Sequence, residues 1–355
     1  MKKLIYFLIF ISSAFGLLLV YSFSKKDSTY LVRQVVQKST ETKSDTKYVS
    51  PLSVEYLRNL KINESNLQIE KELSNGTNYK KYIASFKSEG YKIYGLLTVP
   101  KSEMPEGGFS AIIFNHGYIP PKGYKTEEKY VEYVDYLAKN NFVVFKIDLR
   151  GHGNSEGVPS GSYFSNAYTV DVLSAIKALK TDNRVNSQKI GLWGHSMAGN
   201  LVLRSMLVTS EIKASVIWAG AVYSYKDFAK YGIADNSYVR RENINDNVVD
   251  SNDEKTRSEI VAFRENREAV NFDTDFWKSI SLTENLKYLE SPIQIHHSVN
   301  DATVNVGYSK DLKMELDKSK KISEYFEYKN GGHNIDGVYF TQAMQKTVEF
   351  FKRYL

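Results

Sequence analysis

Short apolar runs alternate with longer stretches of helical periodicity along most of the chain, and this alternation limits the possible folds more than any other feature. The apolar runs are residues 82–87, 91–99, 111–115, 142–147, 189–193, 214–218, 293–296 and 322–328. The helical patterns cover residues 127–139, 163–179, 198–208, 306–316 and 338–354. Strands that alternate with helices require right-handed crossover connections. We therefore expect an α/β protein with a doubly wound, mostly parallel, eight-stranded sheet.

One interval breaks this rhythm. Residues 220–290 place 71 residues between two predicted strands, whereas a simple crossover needs about 12–30. The interval contains charged, amphipathic stretches such as residues 259–269. We expect a helical cap insertion here; the alternative is a long crossover with surface helices.

The N-terminus begins with an apolar segment. Residues 4–23 form a run of 20 uncharged residues flanked by lysines, and as a helix this run would span roughly 30 Å, the thickness of a bilayer core. It is longer than the apolar region of most signal peptides, and no clear A-x-A cleavage site follows. We predict a transmembrane anchor or signal segment at 1–24, a polar linker at 25–50 and a folded domain at 51–355. The folded domain is expected outside the cytoplasm, anchored to the membrane or, alternatively, secreted after signal cleavage.

Composition excludes several classes of function. The chain has no cysteine, so disulfides, thiolate metal sites and a cysteine nucleophile are ruled out. Its net charge of +6 is small and dispersed, which argues against a nucleic-acid partner. The histidine spacings do not indicate a metal site, and neither a phosphate-binding loop nor a dinucleotide fingerprint is present. We expect no cofactor and no metal.

The sharpest local motif is GHSMAG at residues 194–199, which follows the run KIGLW and precedes an apolar helical pattern. A tight strand-to-helix turn needs small residues two positions before and after its centre. Gly194 and Ala198 meet this requirement, so Ser196 would be presented at the turn. The alternative is a glycine-rich turn with an idle serine.

A serine nucleophile needs a base, and the base needs a group that orients it. Among six histidines, His333 lies between the last strand and the last helix, at the edge where ligands bind in open α/β sheets. Asp301 follows the strand IQIH at the same edge. The order Ser196, Asp301, His333 is the one found in α/β-hydrolases.

Two backbone N–H groups are needed for the oxyanion that develops during acyl transfer. We predict that they come from Met197, directly after the nucleophile, and from Tyr118, in the loop after the strand AIIFN. The Tyr118 hydroxyl is a further candidate donor, and a simple packing role is its alternative. A glycine-rich run, DLRGHGNSEG, covers residues 148–157. We predict that this segment supports the site structurally and that Asp148 and Arg150 form an ion pair within it.

Together these segments resemble the α/β-hydrolase superfamily, and within it the catalytic domains of prolyl oligopeptidase-like serine peptidases and related esterases. The resemblance covers about residues 79–355. The matching segments are NHGY (115–118), DLRGHGNSEG (148–157), GHSMAG (194–199), NDATV (300–304) and GGHN (331–334). It implies Ser196 as nucleophile, Asp301 as acid and His333 as base. The sequence departs from the family at Ala198, where glycine is commoner.

We therefore predict a membrane-tethered serine hydrolase that transfers an acyl group to water, with peptidase activity first. A carboxylesterase acting on small or acyl esters is the nearest alternative. An alternative of another class is a non-catalytic binding or scaffold protein on a hydrolase fold. The expected partners are a peptide or small ester substrate and the membrane, through the N-terminal segment.

Overall fold

A mixed sheet organises the chain, whose computed structural model describes residues 48–233 and 253–355. The strands are β1 Gln68–Leu73, β2 Tyr79–Ser88, β3 Tyr91–Pro100, β4 Phe109–Asn115, β5 Val143–Ile147, β6 Val185–His195, β7 Ala214–Trp218, β8 Ile293–Ser298 and β9 Ser323–Tyr328. The helices are α1 Val54–Asn59, α2 Val131–Lys139, α3 Ala167–Leu179, α4 Met197–Val208, α5 Tyr225–Tyr231, α6 Glu254–Asn266, α7 Asp275–Ile280, α8 Gly307–Lys318 and α9 Val338–Tyr354.

The sheet has the order β1-β2-β3-β5-β4-β6-β7-β8-β9. Every neighbouring pair from β5 to β9 is parallel, and β1, β2 and β3 join this block antiparallel. The predicted α/β class and mostly parallel sheet are confirmed. The predicted count of eight strands was wrong, because β1 adds a ninth within the described ranges. Its sequence, QIEKEL, is almost wholly exposed and so lacks the apolar alternation that marks a strand.

Helices cover both faces of the sheet. Buried side chains of α3 and α4, such as Ile176 and Leu201, belong to one apolar cluster. Buried side chains of α2 and α9, such as Leu137 and Phe351, belong to the other. Strands β5 and β7, which lie between the two layers, are buried at every position. This two-sided burial explains why these strands appear in the sequence as continuous apolar runs.

The interval 220–290 is helical where the structure describes it. Helix α6 buries Ile260 and Phe263, and the Phe263 ring packs on Phe164 and Trp277 with centroid distances of 5.7 and 5.4 Å. This aromatic packing joins α6 to the main core. That the insertion caps the site stays a prediction.

The predicted anchor at 1–24 lies outside the described residues, as does nearly all of the predicted linker at 25–50. None of the helices in the described ranges combines the length and the apolar composition that a bilayer crossing requires. Residues Val49–Leu355 form one compact unit.

Candidate active site

Ser196 occupies a sharp turn between β6, which ends at His195, and α4, which begins at Met197. Its backbone has φ 56° and ψ −121°, a conformation that non-glycine residues rarely adopt and that costs on the order of 1–3 kcal/mol. The Ser196 N–H donates to the Trp218 carbonyl of the neighbouring strand at 2.9 Å. The turn therefore holds the serine at the carboxyl edge of the sheet, where the sequence places it.

Small residues make this turn possible. A Cβ at position 194 would lie 2.6 Å from Val202 Cγ2, and one at position 199 would lie 2.6 Å from the Cα of Gly220. Both contacts are shorter than packed carbon atoms tolerate. The methyl group of Ala198 is accommodated, fully buried. Residues 194 and 199 must therefore be glycine for the turn to close as it does.

Asp301 and His333 are brought together from two loops. Asp301 follows β8, and His333 lies in a 3₁₀ turn, Gly332–Asn334, between β9 and α9. His333 Nδ1 lies 2.7 Å from Asp301 Oδ2, and the Asp301 side chain is fully buried while that of His333 is 20% exposed. Because an ionised carboxylate only accepts, Nδ1 carries the proton and Nε2 keeps a free lone pair.

Three further donors surround the Asp301 carboxylate. The Thr303 and Val304 N–H groups donate to Oδ1 at 2.8 and 3.0 Å, and His297 Nε2 lies 3.2 Å from Oδ2. Burial alone would raise the pKa of Asp301, but the hydrogen bonds from His297 and His333 outweigh it and hold that pKa below its usual range. The carboxylate is therefore ionised and fixed in orientation.

His297 is a site residue that the sequence reasoning missed. It lies on β8, fully buried, and its Nδ1 is 2.7 Å from Ser309 Oγ. Nε2 faces both the Val304 carbonyl, at 3.0 Å, and Asp301, so Nε2 carries the proton. The sequence contains no signal for this role, since a histidine in an apolar strand usually indicates only a satisfied core position.

The His333 loop lies beside the serine turn. The rings of His195 and His333 have centroids 4.5 Å apart, and His195 Nε2 lies 2.9 Å from the His333 carbonyl oxygen. Within residues 48–233 and 253–355 no hydrogen bond joins Ser196 Oγ to His333. Such catalytic hydrogen bonds often form only once substrate is bound. The structure thus brings the three predicted residues to one edge, with the Asp301–His333 contact already made.

The segments that carry the two predicted oxyanion donors meet at Ser196. Met197 is the first residue of α4, so its N–H has no partner within the helix. A Cβ at Gly117 would lie 3.0 Å from Ser196 Cβ, which places the loop after β4 against the serine. The Gly117 N–H donates to Tyr130 Oη at 2.9 Å, which makes the next amide, that of Tyr118, the candidate donor. The Tyr118 side chain is 36% exposed.

The predicted pairing of Asp148 with Arg150 was wrong. Arg150 instead forms a buried salt bridge with Asp171, at 2.7 Å, and contacts Glu89 at 2.9 Å. The chain turns between the two residues, at Leu149 with φ 46°, and their side chains point to different neighbours.

Asp148 anchors the loop that follows β4. It accepts hydrogen bonds from Tyr124 Oη at 2.6 Å and from the Thr126 hydroxyl, and burial raises its pKa to about 6. Lys146 donates to the Lys129 carbonyl at 2.6 Å, and burial lowers its pKa to about 8. These contacts fit the supporting role predicted for the segment 148–157.

No group of three or more metal-ligating side chains is found in the part of the chain that the structure describes.

Comparison with known proteins identifies the family. Residues 110–336, more than half of the chain, match the family described as serine aminopeptidase, S33. An uncharacterized protein of Escherichia coli K12, YfhR, is 37% identical over 70 residues, which are 20% of this chain and 23% of that protein. The chain thus spans less than a quarter of the length of this relative.

Two solved structures share the fold. An acetyl xylan esterase from Paenibacillus sp. R4 has a TM-score of 0.59 at 16% identity. The alignment covers 85% of this chain and 92% of the esterase. A puromycin-hydrolyzing peptidase of Mycobacterium tuberculosis has a TM-score of 0.61 at 15% identity. This alignment covers 79% of the present chain and 40% of the peptidase. They confirm the α/β-hydrolase fold, and the family match confirms the resemblance to serine peptidases of that fold. This chain belongs to the serine aminopeptidase S33 family and has the α/β-hydrolase fold.

Proposed function

We propose that this protein hydrolyses an ester or amide substrate through a covalent acyl intermediate on Ser196, with His333 as general base and Asp301 as the residue that orients it. The observation that carries this proposal is the 2.7 Å contact between His333 Nδ1 and Asp301 Oδ2. It fixes the histidine tautomer that leaves Nε2 free to accept a proton at the carboxyl edge of the sheet, where Ser196 lies.

The chemistry follows from these atoms. Ser196 Oγ attacks the substrate carbonyl carbon as its proton passes to His333 Nε2. The N–H groups of Met197 and Tyr118 donate to the oxyanion, and His333 then protonates the leaving alcohol or amine. A water molecule repeats the sequence on the acyl-enzyme, with its proton going to His333, and releases the acid. The ionised Asp301 stabilises the positive charge that His333 carries in each tetrahedral state.

Peptide substrates are the first class that we propose, because the chain belongs to an aminopeptidase family. Carboxylic esters are the second class, since the structural alignment with the acetyl xylan esterase includes 92% of that esterase. The same triad cleaves both bonds, so the difference lies in the pocket and in how readily the leaving amine is protonated.

The test is hydrolysis of a chromogenic short acyl ester and a matched peptidyl amide by the full chain, by Ser196→Ala and by Ser319→Ala. Ser319 is an exposed serine at the end of α8 and serves as the matched control. Turnover of the amide that depends on Ser196 supports a peptidase, and turnover of the ester alone supports an esterase. If the wild type hydrolyses neither substrate and a fluorophosphonate does not label Ser196, the result would instead favour a binding or scaffold role.

We also propose that residues 4–23 anchor the protein in a membrane with the folded domain outside the cytoplasm. The support is the run of 20 uncharged residues, which matches a bilayer core in length. Carbonate extraction of membranes should leave the full chain in the pellet, and protease added to intact spheroplasts should digest the domain. A soluble product whose mass lacks the N-terminal segment would indicate signal cleavage instead.

A further inference from the structure

A continuous series of hydrogen bonds connects the loop after β4 with the loop that carries His333. The Gly117 N–H donates to Tyr130 Oη at 2.9 Å, and Tyr130 Oη lies 2.8 Å from His195 Nδ1. On the other side of the ring, His195 Nε2 lies 2.9 Å from the His333 carbonyl oxygen. The series therefore passes through His195, the residue before Ser196, and links the candidate oxyanion loop to the loop of the candidate base.

The direction of each bond is determined by its ends. A carbonyl oxygen can only accept, so His195 Nε2 carries a proton and its N–H donates a hydrogen bond to the His333 carbonyl oxygen. The Tyr130 oxygen already accepts the Gly117 N–H, so its own hydrogen is free to point at His195 Nδ1. That nitrogen accepts only when the ring is neutral, and burial lowers the pKa of His195 to about 3. The ring is thus neutral near pH 7.

Both middle residues are held tightly. His195 is 3% exposed, and the Tyr130 ring packs on Phe114 and Trp193 with centroid distances of 5.4 and 6.3 Å. Tyr130 also adopts a left-handed backbone conformation, with φ 59° and ψ 27°. A bulky residue rarely adopts this conformation, and residues held in it cluster at functional sites.

We propose that Tyr130 and His195 are positioning residues that keep the Gly117–Tyr118 amides and His333 at a fixed separation on the two sides of Ser196. This inference rests on the proposed function, because it assigns the series to the alignment of that triad and oxyanion site. Acyl transfer needs the oxyanion donors and the base in place together, and a displacement of about 1 Å in such an arrangement costs about 100-fold in rate.

The fold offers a variant that breaks this series with little other damage. Tyr130→Phe keeps the packed ring and removes the oxygen that joins Gly117 to His195. The His333 loop keeps a separate tie, since Tyr133 Oη donates to the Asn334 carbonyl at 2.9 Å. Tyr79→Phe is the matched control. The Tyr79 hydroxyl likewise forms a side-chain hydrogen bond, to Asp135 Oδ1 on α2 at 2.8 Å, but it takes no part in the series.

We expect Tyr130→Phe to lower kcat for the ester substrate about 10- to 100-fold with KM within about threefold of wild type. Fluorophosphonate labelling of Ser196 should slow by a similar factor, and Tyr79→Phe should change neither rate. A merely structural role would lower the melting temperature without this division between kcat and KM. A folded Tyr130→Phe enzyme with kcat within twofold of wild type overturns the proposal, as does a loss that disappears on cooling.

Two substitutions of His195 test the halves of the series and cover the case in which Tyr130→Phe fails to fold. His195→Gln keeps a donor near the His333 carbonyl, whereas His195→Asn keeps an acceptor near Tyr130 Oη. We expect both to lower kcat, because each restores only one of the two bonds. Full activity in either variant shows that one half suffices and overturns the two-sided role. A wild type that neither turns over substrate nor labels at Ser196 refutes the proposed function, and the positioning role with it.

Discussion

Gly117 offers a direct test of how closely the loop after β4 must approach the nucleophile. In Gly117→Ala the new methyl group would lie 3.0 Å from Ser196 Cβ, 2.9 Å from Tyr130 Oη and 3.2 Å from the His195 carbonyl oxygen. Packed carbon atoms prefer about 3.5–4.0 Å, so the loop must withdraw from Ser196 by about 0.5 Å. The backbone of residue 117 itself needs no glycine conformation, since its φ is not positive, and the effect is therefore one of space.

A withdrawal of this size moves the Tyr118 N–H away from the position of the oxyanion. Complete removal of one such donor costs about 100- to 1000-fold in kcat, so we expect a partial displacement to cost about 10- to 100-fold, or about 1.4–2.7 kcal/mol of transition-state stabilisation. Steady-state hydrolysis of the ester should show this loss in kcat, with KM almost unchanged.

Gly123→Ala is the matched control, because a Cβ at Gly123, in the same loop, meets nothing within 4 Å. It should keep wild-type kcat. A Gly117→Ala enzyme with kcat within twofold of wild type would show that the loop can yield without cost, and the argument from close approach would be refuted. Equal losses in both variants would point to general disturbance of the loop instead.

Three further substitutions test the electrostatics of the domain. Asp301→Asn should lower kcat by about 1000- to 10,000-fold, because an amide no longer fixes the proton on His333 Nδ1; steady-state kinetics measures this loss. Asp171→Ala should lower the free energy of unfolding by about 3–5 kcal/mol in urea titrations, because it leaves the buried Arg150 guanidinium without its main partner. Burial raises the pKa of Asp148 to about 6 in the folded protein, above the value of about 3.9 expected when unfolded. The wild type should therefore lose stability relative to Asp148→Asn as the pH rises from about 4 to about 6, by at most about 3 kcal/mol.

Each of these expectations has an outcome that contradicts it. An Asp301→Asn enzyme with more than a tenth of wild-type kcat would mean that backbone contacts alone orient His333. An unfolding free energy of Asp171→Ala within 1 kcal/mol of wild type would mean that water reaches the Arg150 guanidinium. If the difference in stability between wild type and Asp148→Asn is the same at pH 4 and pH 6.5, the folded and unfolded carboxyl groups titrate alike.

Local pattern was enough to predict the parallel sheet, the helix layers and the serine turn. Strands β5, β7 and β8 are buried at every position, as are the last residues of β4 and β6, and these segments carry apolar runs. The turn at Ser196 requires a small residue at position 194, and Gly194 meets that requirement visibly in the sequence. Asp301 and His333 could be found for a similar reason, since topology alone brings loops after parallel strands to one edge.

The residues that support the site could not be found in this way. His297 contacts Asp301, only four residues along the chain, and Tyr130 contacts Gly117, 13 residues before it. Both contacts form because the chain turns between the two residues, and the sequence does not show which way their side chains point. Neither residue carries a local signal, because an aromatic or histidine side chain near an apolar segment usually indicates the core. The partner of Arg150 was predicted wrongly for a related reason. Its nearest acidic neighbour in sequence is Asp148, but the chain turns at Leu149 and the Arg150 side chain forms its salt bridge with Asp171.

Strand β1 has a consequence for the behaviour of the protein at high concentration. Among residues 48–233 and 253–355 it forms one edge of the sheet and pairs only with β2. An outer edge of this kind carries backbone groups on which another chain could add a strand. Glu70, Lys71 and Glu72 place charges along this edge, and the register shifts between Ile69 and Lys71. Charges and bulges are the means by which edge strands avoid aggregation. The polarity that makes β1 hard to predict from the sequence therefore also disfavours edge-to-edge pairing through this strand.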